Sequence, residues 1–220
     1  IVKVEKACGN GRGLFEGYDP VPKRPKIMGT EASYQEAVNE ASRILKSARY
    51  PLIYGLSSTS SEAQRMTVQL AELIGASIDS TSSFCHGPTG LAMQAVGEPT
   101  CTLGEIKNRA DLLIFWGCNP LVTHSRHFAR YSAMPKGRFV PEGRRDRKVI
   151  VVDVRRSETA KSADMFLQIK QGCDFEVLLA LKALVMGRSL DAVEVGGIPV
   201  KLLQQLAGEM KACRYGVIFF

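Results

Sequence analysis

The sequence predicts an α/β protein built on a doubly wound, mostly parallel sheet with helices on both faces. Three observations carry this. Short runs that are apolar throughout, "LLIFW" (112–116) and "VIVVD" (149–153) among them, read as strands buried on both sides. Stretches with apolar residues at helical period lie between them. Strand and helix alternate from Ser33 to "YGVIFF" (215–220), with neither an internal repeat nor a low-complexity segment.

The elements follow in order. Residues 1–30 are rich in Gly and Pro and read as an extended lead-in. Ser33 and Glu36 have capping-box spacing, and Ala37, Val38, Ala41, Ile44 and Leu45 continue a helix from there. "PLIYGL" (51–56) reads as a buried strand, and Ser61 with Gln64 opens a second helix that Gly75 closes. "ASID" (76–79) is a short strand and "DLLIFWG" (111–117) a longer one. "VTHSRHFARYSA" (122–133) reads as one helix, followed by strands "KVIVVDV" (148–154) and "MFLQI" (165–169). Helices over 174–186 and 199–210 precede the last strand, "YGVIFF". Two regions are expected: the lead-in over 1–30 and an α/β region over 31–220. A chain that starts on Ile1 and stops on an apolar run also reads as a piece of a longer polypeptide.

Composition narrows the function classes. A hydrophobic content of 45% and a charged content of 23% are those of a soluble globular protein. No apolar run reaches the ~20 residues of a membrane span. The net charge of +7 is densest in "GRRDRK" (143–148), which reads as a solvated loop or an anion site for phosphates, without the aromatic interleaving of a nucleic-acid surface. Six cysteines without a C-x-x-C pair argue against a zinc ribbon and a disulfide framework, and fit reduced thiols in the cytoplasm.

In a doubly wound sheet, ligands bind beyond the carboxyl ends of the strands. The loops there are "SSTSSE" (57–62), "STSSFCHGPTG" around Cys85, "GCNPLVTHSR" (117–126) and "DVRRSETA" (153–160). Their Gly, Asn, Ser and Arg residues suit a dinucleotide pyrophosphate, and Asp153 a ribose or a base amine. Neither G-x-G-x-x-G nor a P-loop occurs, which disfavours a simple Rossmann or P-loop nucleotide site. His124 and His127 lie three apart without a third metal ligand. Cys85 beside His86 reads either as a small buried thiol or as an activated one. As a thiolate it would be a nucleophile or a soft metal ligand, and the residues alone leave both open.

Three stretches together resemble a known family: "SSFCHGPTG", "GEIKNRADLLIFWGCNPLVTHSRHFARYS" and "VIVVDVRRSETAKSADMFLQIKQGCD" are similar to the molybdopterin oxidoreductases. Within these the chain is most similar to the B subunits of formylmethanofuran dehydrogenases, from about Cys8 onward. The resemblance implies a formate dehydrogenase-like fold (its domains 1–3). It implies Cys85 as the thiolate on Mo or W between two molybdopterin guanine dinucleotides, with His86 as the adjacent proton-handling group. Gly117, Cys118, Asn119 and His124 would line one dinucleotide. Asp153, Arg155 and Arg156 would meet its nucleotide end, with Gly172 and Asp174 near the guanine. Cys8 would ligate a [4Fe-4S] cluster whose other three cysteines are not in this sequence. The activity implied is reversible reduction of CO2 to formate. Amidohydrolase-type, molybdopterin-binding barrel and ferredoxin-type partner subunits would pass the formyl group to methanofuran. One departure is Val154, where the family's Asp-x-Arg loop has Pro. Two other readings compete: the central domain of a thiamine-diphosphate enzyme, and a degenerate scaffold subunit of a formyltransferase complex.

Overall fold

The computed structural model describes residues 3–18, 23–80 and 82–220. Residues 1, 2 and 19–22 of the expected lead-in, and Thr81 of the Cys85 turn, lie outside them. The chain divides into two compact units, one dominated by Gly13–Pro99 and the other by Thr100–Phe220 with Glu5–Arg12. The region expected as one, 31–220, is thus shared between both.

The lead-in is not extended throughout, because Gly9–Glu16 forms helix α1. Cys8 sits immediately before it, and its sulfur accepts the Gly11 N–H at 3.5 Å, a side-chain cap that offsets three glycines of poor helix propensity.

In the first unit, β1 (Lys26–Ile27) and β2 (Thr30–Glu31) form a hairpin around Met28 and Gly29. Helix α2 (Tyr34–Ser47) starts at the expected capping box: Ser33 Oγ accepts the Glu36 N–H, and Glu36 accepts the Ser33 N–H at 2.8 Å. Strand β3 (Leu52–Tyr54) pairs in parallel with β4 (Ser77–Asp79), Tyr54 opposite Asp79. Helix α3 (Ser61–Ile74) connects them, capped by Ser60, one residue before the expected start. Gly75 ends it in the left-handed region at φ 65°. The expectation of a buried strand over 51–56 does not hold. Leu52 and Tyr54 are exposed, since only these two strands form the sheet among the described residues. Residues Ser82–His86 form a single π-turn that runs into α4 (Gly87–Val96).

The second unit holds the sheet that the apolar runs predict. After α5 (Leu103–Arg109) come β5 (Leu112–Trp116), α6 (Pro120–Thr123), α7 (Ser125–Arg130), β6 (Lys148–Asp153), α8 (Glu158–Lys161) and β7 (Met165–Gln168). Then follow α9 (Asp174–Val185), a hairpin of β8 (Glu194–Val195) and β9 (Ile198–Pro199), α10 (Val200–Ala212) and β10 (Gly216–Phe219). The order β10-β5-β6-β7 is parallel throughout. Alternation along the strands splits the core in two. Leu112, Ile114, Ile150, Val152 and Leu167 pack against α9 and α10. Leu113, Phe115, Val149 and Val151 pack against Ile106 of α5, Phe128 of α7 and Ala160 of α8. Helices thus cover both faces.

The helix expected over 122–133 is instead two short ones, broken at His124, whose φ of −141° and ψ of 55° are not helical. Two causes act together. The β-branched pair Val122–Thr123 ends the first turn with weak helix preference. Asn119 Oδ1, meanwhile, accepts from Thr159 Oγ1 at 2.7 Å and from the Thr159 N–H at 3.1 Å, which fixes the start of α6 to α8.

Candidate cofactor-binding site

The carboxyl ends of β5, β6 and β7 stand side by side, so the loops that follow them share one edge of the sheet. That edge gathers Gly117, Cys118 and Asn119 after β5, Asp153, Arg155 and Arg156 around the end of β6, and Gly172 and Asp174 after β7. Gly117 turns the chain at φ 63°, its N–H bonding Val152 O at 2.8 Å, so the backbone leaves β5 without a side chain at the bend. Asp153 Oδ1 accepts the Arg155 N–H at 3.3 Å, which shapes the loop carrying both exposed arginines. Val154, where the resemblance implies Pro, leaves that bond in place.

Asp174 opens α9, and one of its carboxylate oxygens accepts the Trp116 indole N–H at 2.7 Å. The loop before it is braced from outside by the β8–β9 hairpin, where Lys170 N–H bonds Gly196 O at 2.8 Å. A Cβ on Gly196 would stand 2.6 Å from Val177 Cγ2, so the brace requires glycine there. Gly172 adopts φ 82° within this loop.

Cys118 and His124 border a separate small pocket of about 260 Å³ with Phe115, His127 and Phe219. Burial pushes the Cys118 thiol up, with the Asp153 charge acting the same way, and its sulfur donates towards Phe219 O at 3.5 Å. Cys118 thus lines this pocket with a thiol less readily ionised than a free one. His124 Nδ1 lies 2.9 Å from Thr123 Oγ1. Burial, with the His124 charge behind it, lowers the pKa of His127, whose ring meets Phe219 edge-on at 5.2 Å. Both imidazoles thus reach one pocket, although among the described residues no group of three His, Cys, Asp or Glu side chains could hold a metal.

Cys8 belongs to the segment that packs with the second unit: Asn10 Nδ2 donates to Val122 O at 3.3 Å, and Arg126 donates to Lys6 O. The Gly11 N–H lowers the Cys8 thiol pKa; desolvation opposes it, and the Asn10 N–H and the Arg126 charge add to the lowering. N–H groups aimed at a sulfur in this way suit a metal-bound thiolate.

In the first unit, Cys85 and His86 end the π-turn, and both are exposed. Gly87 follows, and a Cβ there would come within 2.3 Å of Ser82 O, so the turn can close only over glycine. His86 shares a pocket of about 780 Å³ with Ser57, Gln64, Asp79, Ser80, Ser82 and Ser83 at the carboxyl ends of β3 and β4. The reading of Cys85 as a small buried thiol does not survive this geometry: the thiol is free, exposed and adjacent to an imidazole. Single π-turns are frequent at functional sites.

Trp116, Thr159 and Asp79 are not legible as site residues in the sequence. Only Trp116 carries a signal, a polar-edged aromatic at the very end of an apolar strand.

Parallel strands covered on both faces, with loops rich in Gly, Asn, Asp and Arg at their carboxyl ends, define an α/β protein of the molybdopterin oxidoreductase type. More particularly, the chain is a homologue of proteins named as B subunits of tungsten-containing formylmethanofuran dehydrogenases. It is 42% identical, over its whole length, to the B subunit of tungsten-containing formylmethanofuran dehydrogenase 2 from Methanocaldococcus jannaschii, and spans 52% of that protein. Among solved structures it is similar to the formyltransferase/hydrolase complex of Methylorubrum extorquens, with methylofuran bound there. That match has a TM-score of 0.55 and 26% identity, and covers 86% of this chain and 49% of the other. Acetylene hydratase of Pelobacter acetylenicus shares the fold, at a TM-score of 0.54 and 15% identity, over 92% of this chain and 31% of its own. No protein-family profile matches the chain. No described helix is long and apolar enough to cross a membrane.

Proposed function

We propose that this chain supplies the metal-thiolate and first dinucleotide portion of a formylmethanofuran dehydrogenase catalytic subunit, an oxidoreductase of the cytoplasm that interconverts CO2 and formate. The observation that carries this reading is Cys85: an exposed thiol beside His86, in a turn that a glycine alone permits. The similarity to the tungsten-containing B subunit supports it across the whole chain.

The donor set fits the group implied. Cys85 Sγ is a soft ligand for Mo or W. Arg155 and Arg156 would bind the pyrophosphate or ribose end of one guanine dinucleotide together with Asp153. Asp174, with one oxygen held by Trp116, leaves its other oxygen to accept from guanine N–H groups. Gly117, Cys118, Asn119, His124 and Gly172 would line the same ligand. Cys8 would ligate the [4Fe-4S] cluster with cysteines outside this sequence. When bound, the metal–pterin centre supplies two-electron redox chemistry. CO2 takes up two electrons and one proton to become formate, and in this reading His86 holds that proton and delivers it. A complex of the same kind as the relatives' would include amidohydrolase-type, molybdopterin-binding barrel and ferredoxin-type subunits, the first transferring the formyl group to methanofuran.

The test is elemental and nucleotide analysis of the complete subunit purified without oxygen. About one Mo or W and about two guanine nucleotides per subunit are expected, with Cys85→Ala losing the metal while remaining folded. Thiamine diphosphate in place of these, or no metal at all, overturns the proposal, and the latter result favours a scaffold role.

A further inference from the structure

Asp79 is the last residue of β4, and its backbone is fixed there by the ladder: it faces Tyr54 in register, and its carbonyl accepts the Gly55 N–H at 3.0 Å. Its carboxylate turns away from the sheet and towards the segment that leads to Cys85. Oδ1 accepts the Ser80 N–H at 2.7 Å. Oδ2 accepts the Ser83 hydroxyl at 3.1 Å, and that hydroxyl also lies 3.3 Å from Ser80 O. The charged acceptor is the stronger of the two. Ser80 Oγ in turn accepts the Ser82 N–H at 3.3 Å. The π-turn is thus hung from one carboxylate at its start, closed over Gly87 at its end, and tied from α4 by Thr89 Oγ1, which donates to Cys85 O at 3.3 Å.

From this geometry we infer that Asp79 is a positioning residue for the Cys85–His86 pair, acting through Ser83 to set where the thiol and imidazole stand. The inference rests on the reading of Cys85 as a metal ligand. A single π-turn is a rare, short element, and here the Asp79 bonds hold its start to the end of β4. Asp79, Ser83 and His86 also line one pocket, so the anchor and the imidazole of the pair face the same space.

Two readouts separate this from the reading beneath it. In the complete subunit loaded with metal, Asp79→Ala is expected to lower kcat about tenfold or more with KM changed by less than about threefold, as for a misplaced but chemically intact group. In the complete subunit produced without Mo or W, the rate of Cys85 alkylation by iodoacetamide is expected to change at least about fivefold in Asp79→Ala. Asp79→Asn keeps an oxygen for the Ser80 N–H and a polar partner for Ser83, and should restore both values to within about twofold of the parent. If Asp79→Ala does not accumulate, Ser83→Ala serves in its place and must shift alkylation by about twofold or more. Parental alkylation and kcat in Asp79→Ala or Ser83→Ala overturn the inference, as does failure of Asp79→Asn to rescue. Metal retention in Cys85→Ala instead overturns the ligand reading, and leaves the alkylation result standing on its own.

Discussion

The indole N–H of Trp116 donates to Asp174 Oδ1 at 2.7 Å, joining the last residue of β5 to the first residue of α9 across 58 positions of sequence. The bond lies at the carboxyl edge of the sheet and holds one oxygen of the carboxylate. Trp116→Phe keeps most of the ring and removes the donor. It should cost about 1–2 kcal/mol in a denaturant titration, towards the low end for a hydrogen bond to a charged group because the pair is exposed. In the complete subunit it should also weaken guanine nucleotide retention several-fold, about as much as one lost orienting contact. Release assays on the purified variant and parent check this.

Gly87→Ala sets a Cβ against Ser82 O at a distance of 2.3 Å, and that oxygen is backbone, so no side chain can yield. The expected result is a turn that cannot close, with metal content falling in parallel with activity. Gly90→Ala, three positions on, meets nothing within 4 Å and serves as the control. Elemental analysis of the two variants side by side is the measurement.

Asp111 gives the second unit an acid-sensitive anchor. Burial raises its carboxyl pKa, but N–H bonds from Tyr215 and Arg214 and the Arg214 guanidinium outweigh this and hold it below the usual range. Asp164 behaves likewise: burial raises it, while Arg144 and the Val149 N–H lower it further. Both groups have folded values below their unfolded ones. Their stabilisation is therefore fully present above about pH 4 and is lost as the pH falls through the folded values. Urea midpoints should drop only as the pH falls below about 4, and the drop should be smaller in Asp111→Asn.

Arg147 is 3% exposed, yet its guanidinium bonds no carboxylate among the described residues. It donates instead to three carbonyls, Ala110 O at 3.0 Å, Lys107 O at 2.6 Å and Pro135 O at 2.5 Å, so it ends α5 and ties the loop after α7 to it. Arg147→Ala leaves these acceptors buried and unpaired, and should cost about 3 kcal/mol or more. Arg147→Lys should recover little, because one ammonium cannot reproduce the planar fork. Thermal unfolding of the two variants against the parent decides it.

The second unit is legible because its strands are buried on both faces, and such strands read as unbroken apolar runs. Val149 to Val152 could hardly be anything else. The first unit uses shorter strands with exposed side chains, so "PLIYGL" indicates the right element and the wrong burial. The break at His124 depends on Asn119 bonding Thr159, a contact 40 residues apart that no local pattern encodes. For the site, residue types at strand ends are readable, since turn chemistry and ligand chemistry favour the same side chains. The partners that aim them are not. Asp79 looks like an ordinary strand terminus, and Arg147 is one basic residue within a cluster that reads as a solvated loop.

The strand order carries a kinetic consequence. β10 lies beside β5, and the Tyr215 N–H that leads into it bonds Asp111 across 104 positions of sequence. The inner pairs β5–β6 and β6–β7 close over much shorter loops, so on a ribosome they can zip first, while β5 still presents a bare edge. That edge stays open until residues 215–219 have emerged, and closing so long a loop is entropically slow. During this interval the "LLIFW" strand is the segment most prone to pair with another nascent chain.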